Sequence, residues 1–364
     1  PLAVPDLKAG DARAVYRNTS HDLRNYKRLQ MWVHAEAPID DNKALRNGDL
    51  SVFIRLGSDV KNNFYEYEVP LRLTPAGHYA DSQNDRFIVW PEDNFMDITL
   101  QNLVELKKER NAAKRSVGFG ILYTGQDPDH QNNRMAVMGN PSLSDIRVMM
   151  VGVRNNSSTT KDGTVWLNEL KVTDFESEGG WAADGSASLA VSDIATINFG
   201  AHYESAGFGG VDQSLNERRM DDLSRYSIAV QADLGRFLPE KAKLRAPIFY
   251  SMTKEKTTPK YNPLDQDVKL KDALEGASQA ERDSINAYAI ENSTQQNFSI
   301  SGLQFDVRSN SPMPWDPANF TFNFSFNKTS KTDPTTEYEN INDYRGSFQY
   351  TYTPYIKGIK PFSH

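Results

Sequence analysis

The run Phe320, Phe322, Phe324 and Phe326, interleaved with Thr321, Asn323, Ser325 and Asn327, narrows the possible fold more than any other stretch. Side chains on a strand alternate between two faces, whereas a helix would spread these four rings around its circumference. The segment is therefore a strand with one aromatic face and one uncharged polar face. Phe348, Tyr350 and Tyr352 against Gln349 and Thr351 repeat the pattern. So do Leu189 and Val191 against Ser188, Ile197 and Phe199 against Asn198, and Ile228 and Val230 against Gln231. Ser192 and Asp193 are turn formers between two of these runs and predict a hairpin. Strands of this kind need two different solvents.

The first half of the chain reads as a soluble domain. Leu29–Ala35, Leu50–Leu56 and Tyr65–Leu71 alternate apolar and polar residues and are closed by turn chemistry such as Arg46-Asn47-Gly48-Asp49 and Gly57-Ser58-Asp59. Leu100, Leu103, Val104 and Lys107 share a helical face, with Lys107, Lys108 and Arg110 in the last turn complementing the helix dipole. Strands resume at Val117, Phe119, Ile121 and Tyr123, at Ile146, Val148 and Met150, and from Val165 to Val172. Residues from Pro1 to about Asn25 read as an irregular entry. The expectation is a jelly-roll-like β-sandwich occupying residues 1–178.

From residue 179 to 364 the strands lengthen and their polar faces lose charge. Residues 254–296 interrupt them with a polar excursion, too charged for hydrocarbon. Asp267 and Gly276 bracket a short helix there, and Ser278 with Glu281 forms a capping box that opens a second one. Phe298 and Ile300 are apolar at even positions while Leu303, Phe305 and Val307 are apolar at odd ones. That parity shift at Ser301-Gly302 predicts a β-bulge.

In lipid every backbone polar group must be paired inside the protein, so strands cross a bilayer only as part of a closed barrel. Crossing takes about 9 to 11 residues per tilted strand, apolar outward and polar inward, with aromatic girdles at the interfaces. Asn319–Thr329 and Tyr344–Thr353 meet that description, with Tyr350, Tyr352 and Tyr355 as girdle residues. Any one of these strands would also suit a soluble sandwich with a Phe stripe in its core; several long ones with Ser, Thr, Asn and Gln opposite favour a barrel wall. The lipid-facing residues are then Leu189, Val191, Ile197, Phe199, Ile228, Val230, Phe320, Phe322, Phe324, Phe326, Phe348, Tyr350 and Tyr352. The lumen is lined by Ser188, Asn198, Gln231, Asn323, Ser325, Gln349 and Thr351. Candidate strands start near Gly185, Thr196, Arg225, Lys243, Asn297, Asn319 and Tyr344, fewer than the roughly eight of the smallest bacterial barrels. The pattern is still running at Phe362-Ser363-His364, and Pro1 is no initiator Met, so a piece of a larger barrel is expected. The whole is thus expected to be all-β: a jelly-roll-like sandwich followed by antiparallel transmembrane strands forming part of a large outer-membrane β-barrel.

Several stretches resemble the SprA (Sov) family. They include Gly10-Asp11-Ala12-Arg13-Ala14, Tyr26-Lys27-Arg28-Leu29-Gln30-Met31, Arg55-Leu56-Gly57-Ser58-Asp59 and Phe64-Tyr65-Glu66-Tyr67-Glu68. Asn168-Glu169-Leu170, Asp174-Phe175, Gly179-Gly180-Trp181-Ala182-Ala183, Gly207-Phe208-Gly209 and Asn262-Pro263-Leu264-Asp265 continue them nearly end to end. The resemblance implies the outer-membrane translocon of the type 9 secretion system in Bacteroidota, which is linked to gliding motility. It also implies a single-chain barrel of very many strands, folded cargo proteins passing through its pore, and a PorV-like barrel and a plug protein as partners. The family's chains are several times longer than this one.

Other functions find little support. A net charge of -7 with no basic run argues against nucleic acid. With no cysteine there is no disulfide, thiolate metal site or cysteine nucleophile, and no apolar run is long enough for a transmembrane helix. No catalytic motif appears, so neither catalysis nor a cofactor is expected. Asp127, Asp129 and His130 cluster, but Pro128 between them fits a solvated turn better than a metal loop. Trp166 suggests either sugar stacking or, preferentially, a core or interface position. Asn155 and Asn319 open Asn-x-Ser/Thr sequons that fit chance. The rival readings of the whole are a cell-surface β-sandwich binding or adhesion protein and a nutrient transporter barrel of the TonB-dependent kind.

Overall fold

The computed structural model describes residues 1–38, 43–113, 118–176, 178–214, 217–275 and 277–354. The chain is all-β in class and divides into two units, Pro1–Ser177 with Leu264–Lys269, and Glu178–Pro263 with Leu270–His364. A short stretch from inside the expected excursion thus belongs to the first unit.

In that unit the strands are β1 (Leu2–Ala3), β2 (Ala12–His21), β3 (Tyr26–Glu36), β4 (Leu50–Gly57), β5 (Phe64–Pro70), β6 (Met96–Thr99), β7 (Tyr123–Gln126), β8 (Arg134–Met138), β9 (Ile146–Asn155) and β10 (Thr164–Phe175). They form two antiparallel sheets, ordered β1-β10-β3-β6 and β2-β9-β4-β5-β8-β7. Helices α1 (Gln83–Val89) and α2 (Leu100–Ala112) lie between strands in sequence. The apolar residues of β3, Leu29, Met31, Val33 and Ala35, are buried, as are Val52, Ile54 and Leu56 of β4 and Tyr65, Tyr67 and Val69 of β5. Helix α2 buries Leu100, Leu103, Val104 and Leu106. Such two-sheet packing is the usual way for half-apolar strands to hide one face each.

Three expectations change. Residues 12–21 are not irregular: they form β2, an edge strand pairing with β9, and carry no hydrophobic alternation because nearly all their side chains are exposed. The strand expected from Val117 starts only at Tyr123; Phe119 and Ile121 lie in an exposed turn, and Val117 falls outside the described residues. On β4 the second face is buried too, since Ser51 and Phe53 are covered by a charged network. Glu66 accepts from Arg55 at 2.6 Å and from Arg154 at 3.1 Å, Glu68 pairs with Arg134 and Arg154, and the Arg154 guanidinium lies 4.8 Å from the Phe53 ring centroid.

The second unit contains β11 (Ala182–Val191), β12 (Ala195–Glu204), β13 (Asp221–Asp233), β14 (Leu244–Arg245), β15 (Pro247–Pro259) and β16 (Tyr261–Asn262). After β17 (Asp265–Lys269), which belongs to the first unit, come α3 (Leu270–Glu275), α4 (Gln279–Ala289), β18 (Glu291–Phe305), β19 (Phe320–Asp333) and β20 (Thr336–Tyr350). The long strands make one antiparallel meander, β11-β12-β13-β15-β18-β19-β20, in which every neighbour in space is the next long strand in sequence. The Ser192-Asp193 hairpin and the bulge are present: register shifts between Ile300 and Leu303, and Gly302 takes φ +74°, where a Cβ would be strained. Strand pairing continues past the expected limits of the excursion, to Pro259 and from Glu291. Both helices form, and Glu281 accepts from the Ser278 N–H and hydroxyl; Gly276 lies outside the described residues.

Candidate membrane-spanning surface

Antiparallel register places directly opposed residues on the same face. Followed across the meander, Leu189, Ile197, Val230, Tyr250, Phe298, Phe326 and Tyr344 oppose one another in a single row. The next row, one residue along, is Ser188, Asn198, Ala229, Ser251, Asn297, Asn327 and Asp343. One residue of displacement converts a wholly apolar row into one of polar and small side chains. The sheet therefore has two chemically opposite faces along its full width.

Register places the other expected apolar residues on the face of the first row. Val191 lies in the row that reaches Phe324, Phe199 opposes Ile228, Phe322 opposes Phe348, and Phe320 opposes Tyr350. These side chains stay open: Phe322 is 50% and Phe348 57% exposed. Their rings contact one another, with centroids 5.0 Å apart for Phe322 and Phe348 and 4.8 Å for Phe326 and Tyr344. Tyr250 and Phe298 belong to the same face by their position in the register.

The polar set behaves alike. The Ser188 hydroxyl donates to Asn198 Oδ1 at 2.8 Å, and Asn323 Nδ2 donates to the Ser347 hydroxyl at 3.1 Å. Gln231 opposes Thr196, Ser325 opposes Ser299, and Gln349 opposes Thr321. Phe249 and Ile341 are apolar exceptions on this face. Thr351 and Tyr352 lie past the end of β20, so the last strand is shorter than its pattern suggested. The Thr351 N–H still donates to the Asn319 carbonyl, and the Tyr350 hydroxyl reaches the Pro314 carbonyl at 2.9 Å. Tyr355 lies outside the described residues.

Aromatics absent from the alternating runs gather at both strand ends. Trp315 and Phe237, 71% and 66% exposed, sit in the connections after β18 and β13. At the opposite end Trp181 packs against Tyr203, ring centroids 4.6 Å apart. The limit of the apolar face also shifts from strand to strand, because Tyr226 opposes Lys254 and Met252 opposes Gln296. An apolar band that runs oblique to the register is what tilted strands produce.

The remaining candidates are structural. Asp127 is buried; it accepts from the Tyr67 hydroxyl at 2.5 Å, Asn102 Nδ2 at 2.9 Å and the Asp129 N–H at 3.1 Å, and it meets His130 Nδ1 at 3.1 Å. Burial pushes its pKa up, but these donors outweigh it and hold the carboxyl below its usual range. Residues 128–132 are exposed, so the turn is solvated, with Asp127 as the buried hub that holds it. Trp166 is neither core nor free: it is 42% exposed and its indole N–H donates to Glu36 at 3.1 Å. Asn155 is fully buried and donates to the Leu7 and Thr159 carbonyls, while Asn319 caps the carbonyls of Met313 and Pro314.

The family model SprA_N, described as motility related/secretion protein, matches residues 1–274. This chain belongs to the SprA_N family. The match runs through the sandwich and β11 to β17, and the Phe-rich strands β18 to β20 follow it. SprA_N membership makes this a motility- and secretion-related protein and points to the cell envelope. No curated protein matches the chain.

Proposed function

We propose that the second unit is a stretch of outer-membrane β-barrel wall, and that the chain is part of a protein-conducting translocon that passes folded cargo. The observation that carries this is the pair of adjacent rows, one apolar and one polar, running unbroken across seven strands. A soluble sheet with one exposed aromatic face would aggregate; in a bilayer that face is solvated by lipid. The other face, rich in Ser, Asn, Gln and Thr, suits a wide aqueous lumen that must not grip its cargo. Passage would be steric and electrostatic, through a lumen that offers hydrogen bonds and a few charges, Asp343 and Arg345 among them. Residues 1–177 would limit leakage or hold partner proteins.

This chain contains no cysteine, so a direct test is practical once any cysteine elsewhere in the parent is replaced by serine. Single cysteines at Asn323, Ser325 and Ser347, and at Phe322, Phe324 and Phe348, are placed in the full-length parent in outer-membrane vesicles. A membrane-impermeant maleimide should label the first three and spare the second three. Equal labelling of both sets would rule out a lipid-facing surface. A mobility shift on boiling of the outer-membrane fraction is expected in the same material, and recovery as a soluble monomer would leave the adhesin reading standing.

A further inference from the structure

The sandwich carries a groove of about 790 Å3 that the translocon reading does not use. It is lined by Trp32, Phe87 and Trp90 together with the polar residues Asp81, Gln83, Arg86, Asn168 and Glu169. A volume of this size matches small-molecule sites.

Its rings are held before any ligand arrives. Trp32 packs on Phe95 with ring centroids 4.2 Å apart, which braces one side of the indole. Trp90 leans on His34 at 5.7 Å, and the His34 Nδ1 is fixed between the Val89 carbonyl at 2.6 Å and the Thr74 hydroxyl at 2.9 Å. Phe87, on α1, is 61% exposed. An aromatic so exposed has no packing role in the sandwich.

The polar lining is built with equal care. Asn168 opposes Trp32 in the β10/β3 register, and the ladder then shifts before Lys171. Within that bulge Glu169 takes φ +53°, a left-handed conformation that strains a non-glycine residue. Bulges re-aim side chains, and this one delivers a carboxylate to the groove. Arg86 gives its Nε and Nη2 to Asp81 at 2.8 and 2.7 Å.

We propose that this groove binds a neutral pyranose oligosaccharide. Flat rings with one open face receive the C–H face of a sugar, and the amides and carboxylates receive its hydroxyls, which both donate and accept. Phosphorylated ligands are disfavoured because two carboxylates line the groove and its one guanidinium is already paired. A proline-rich peptide also docks on aromatic grooves, but it offers carbonyl acceptors and few donors, so Glu169 would face it unmatched. Trp166 shares the sheet face with Trp32.

The test uses the full chain refolded in a detergent without a sugar headgroup, titrated calorimetrically with chitohexaose, cellohexaose and maltohexaose. At least one should bind with a dissociation constant of about 1 mM or tighter. Phe87→Ala and Asn168→Ala, both at exposed positions, should each weaken it by about tenfold with unchanged circular dichroism. Phe237→Ala, in the second unit, should leave it unaltered. No heat from any of the three sugars, wild-type affinity in both groove variants, or displacement of the sugar by decaproline would each overturn the proposal. These results are independent of whether the second unit spans a membrane.

Discussion

Lys107 is an ammonium buried to 1% exposure on α2, and all three of its protons are used: by the Pro141 carbonyl and Asp265 at 2.8 Å and by Asp267 at 3.2 Å. Asp267 also accepts from the Tyr65 hydroxyl at 2.6 Å and the Leu143 N–H at 2.6 Å. Both aspartates come from β17, so this buried pair fixes a late strand inside the early domain. Removing one partner of such a pair strands a charge, and Asp267→Ala should destabilise the first unit by about 3 kcal/mol or more. Hydrogen exchange at β5 and α2 amides measures this; a loss below about 1 kcal/mol would show the pair to be ornamental. Acid sensitivity enters at Asp59 and Glu68. At Asp59, burial raises the pKa, but the N–H groups of Asn62, Lys61 and Asn63 and the Asn63 amide bring it down to about 2. At Glu68, burial again raises it, and Ser51, Arg154 and Arg134 together pull it below its usual value. Groups with depressed folded pKa values stabilise above their unfolded pKa and lose that contribution as pH falls through the folded one. The sandwich should therefore weaken between about pH 4 and pH 2, and Asp59→Asn should flatten that slope in acid melts.

At the level of elements, β18 and β19 show how a local irregularity serves the sheet. Without the bulge at Gly302, Leu303 and Phe305 would fall on the polar face and the apolar face would break before Phe322. The Gly302 N–H donates to Asn323 Oδ1 at 2.7 Å, so the bulge is held from the neighbouring strand. Gly302→Val should cost about 1 to 2 kcal/mol from its φ alone and should lower the recovery of the heat-shifted form on a gel. On β19, Phe322→Arg should cost about 2 to 4 kcal/mol if it lies near the bilayer midplane. Titration of refolded protein in lipid vesicles measures that cost, and a loss well under 1 kcal/mol counts against lipid exposure.

For the whole molecule, two edges matter. Among the described residues β11 and β20 each pair on one side only, and an unpaired row of backbone groups is not tolerated in hydrocarbon. If the sheet spans a bilayer, further strands must complete it. Cross-linking between cysteines on β11 or β20 and other segments of the parent chain should give specific products in membranes; none at either edge would mean that the sheet stands alone.

Alternation was enough to place the apolar and polar residues of Phe320–Asn327 and Leu189–Phe199, because period two is a property of each strand alone. Parity located the bulge, and Ser278 with Glu281 located the helix start, for the same local reason. The order of strands in the sandwich was not legible, nor was β2, whose exposed side chains carry no period. The continuous rows became visible only with register, which depends on how residues 19 to 52 positions apart align. Lys107 and Arg110 read as complements of the helix dipole; both prove to be buried, the former paired with aspartates about 160 residues away in sequence. The groove joins α1, β3 and β10, and no window of sequence contains all three. Sequence alone determined which face the alternating strands of the second unit would show. Tertiary structure decided what met those faces, because burial and pairing are set by residues far apart in the chain.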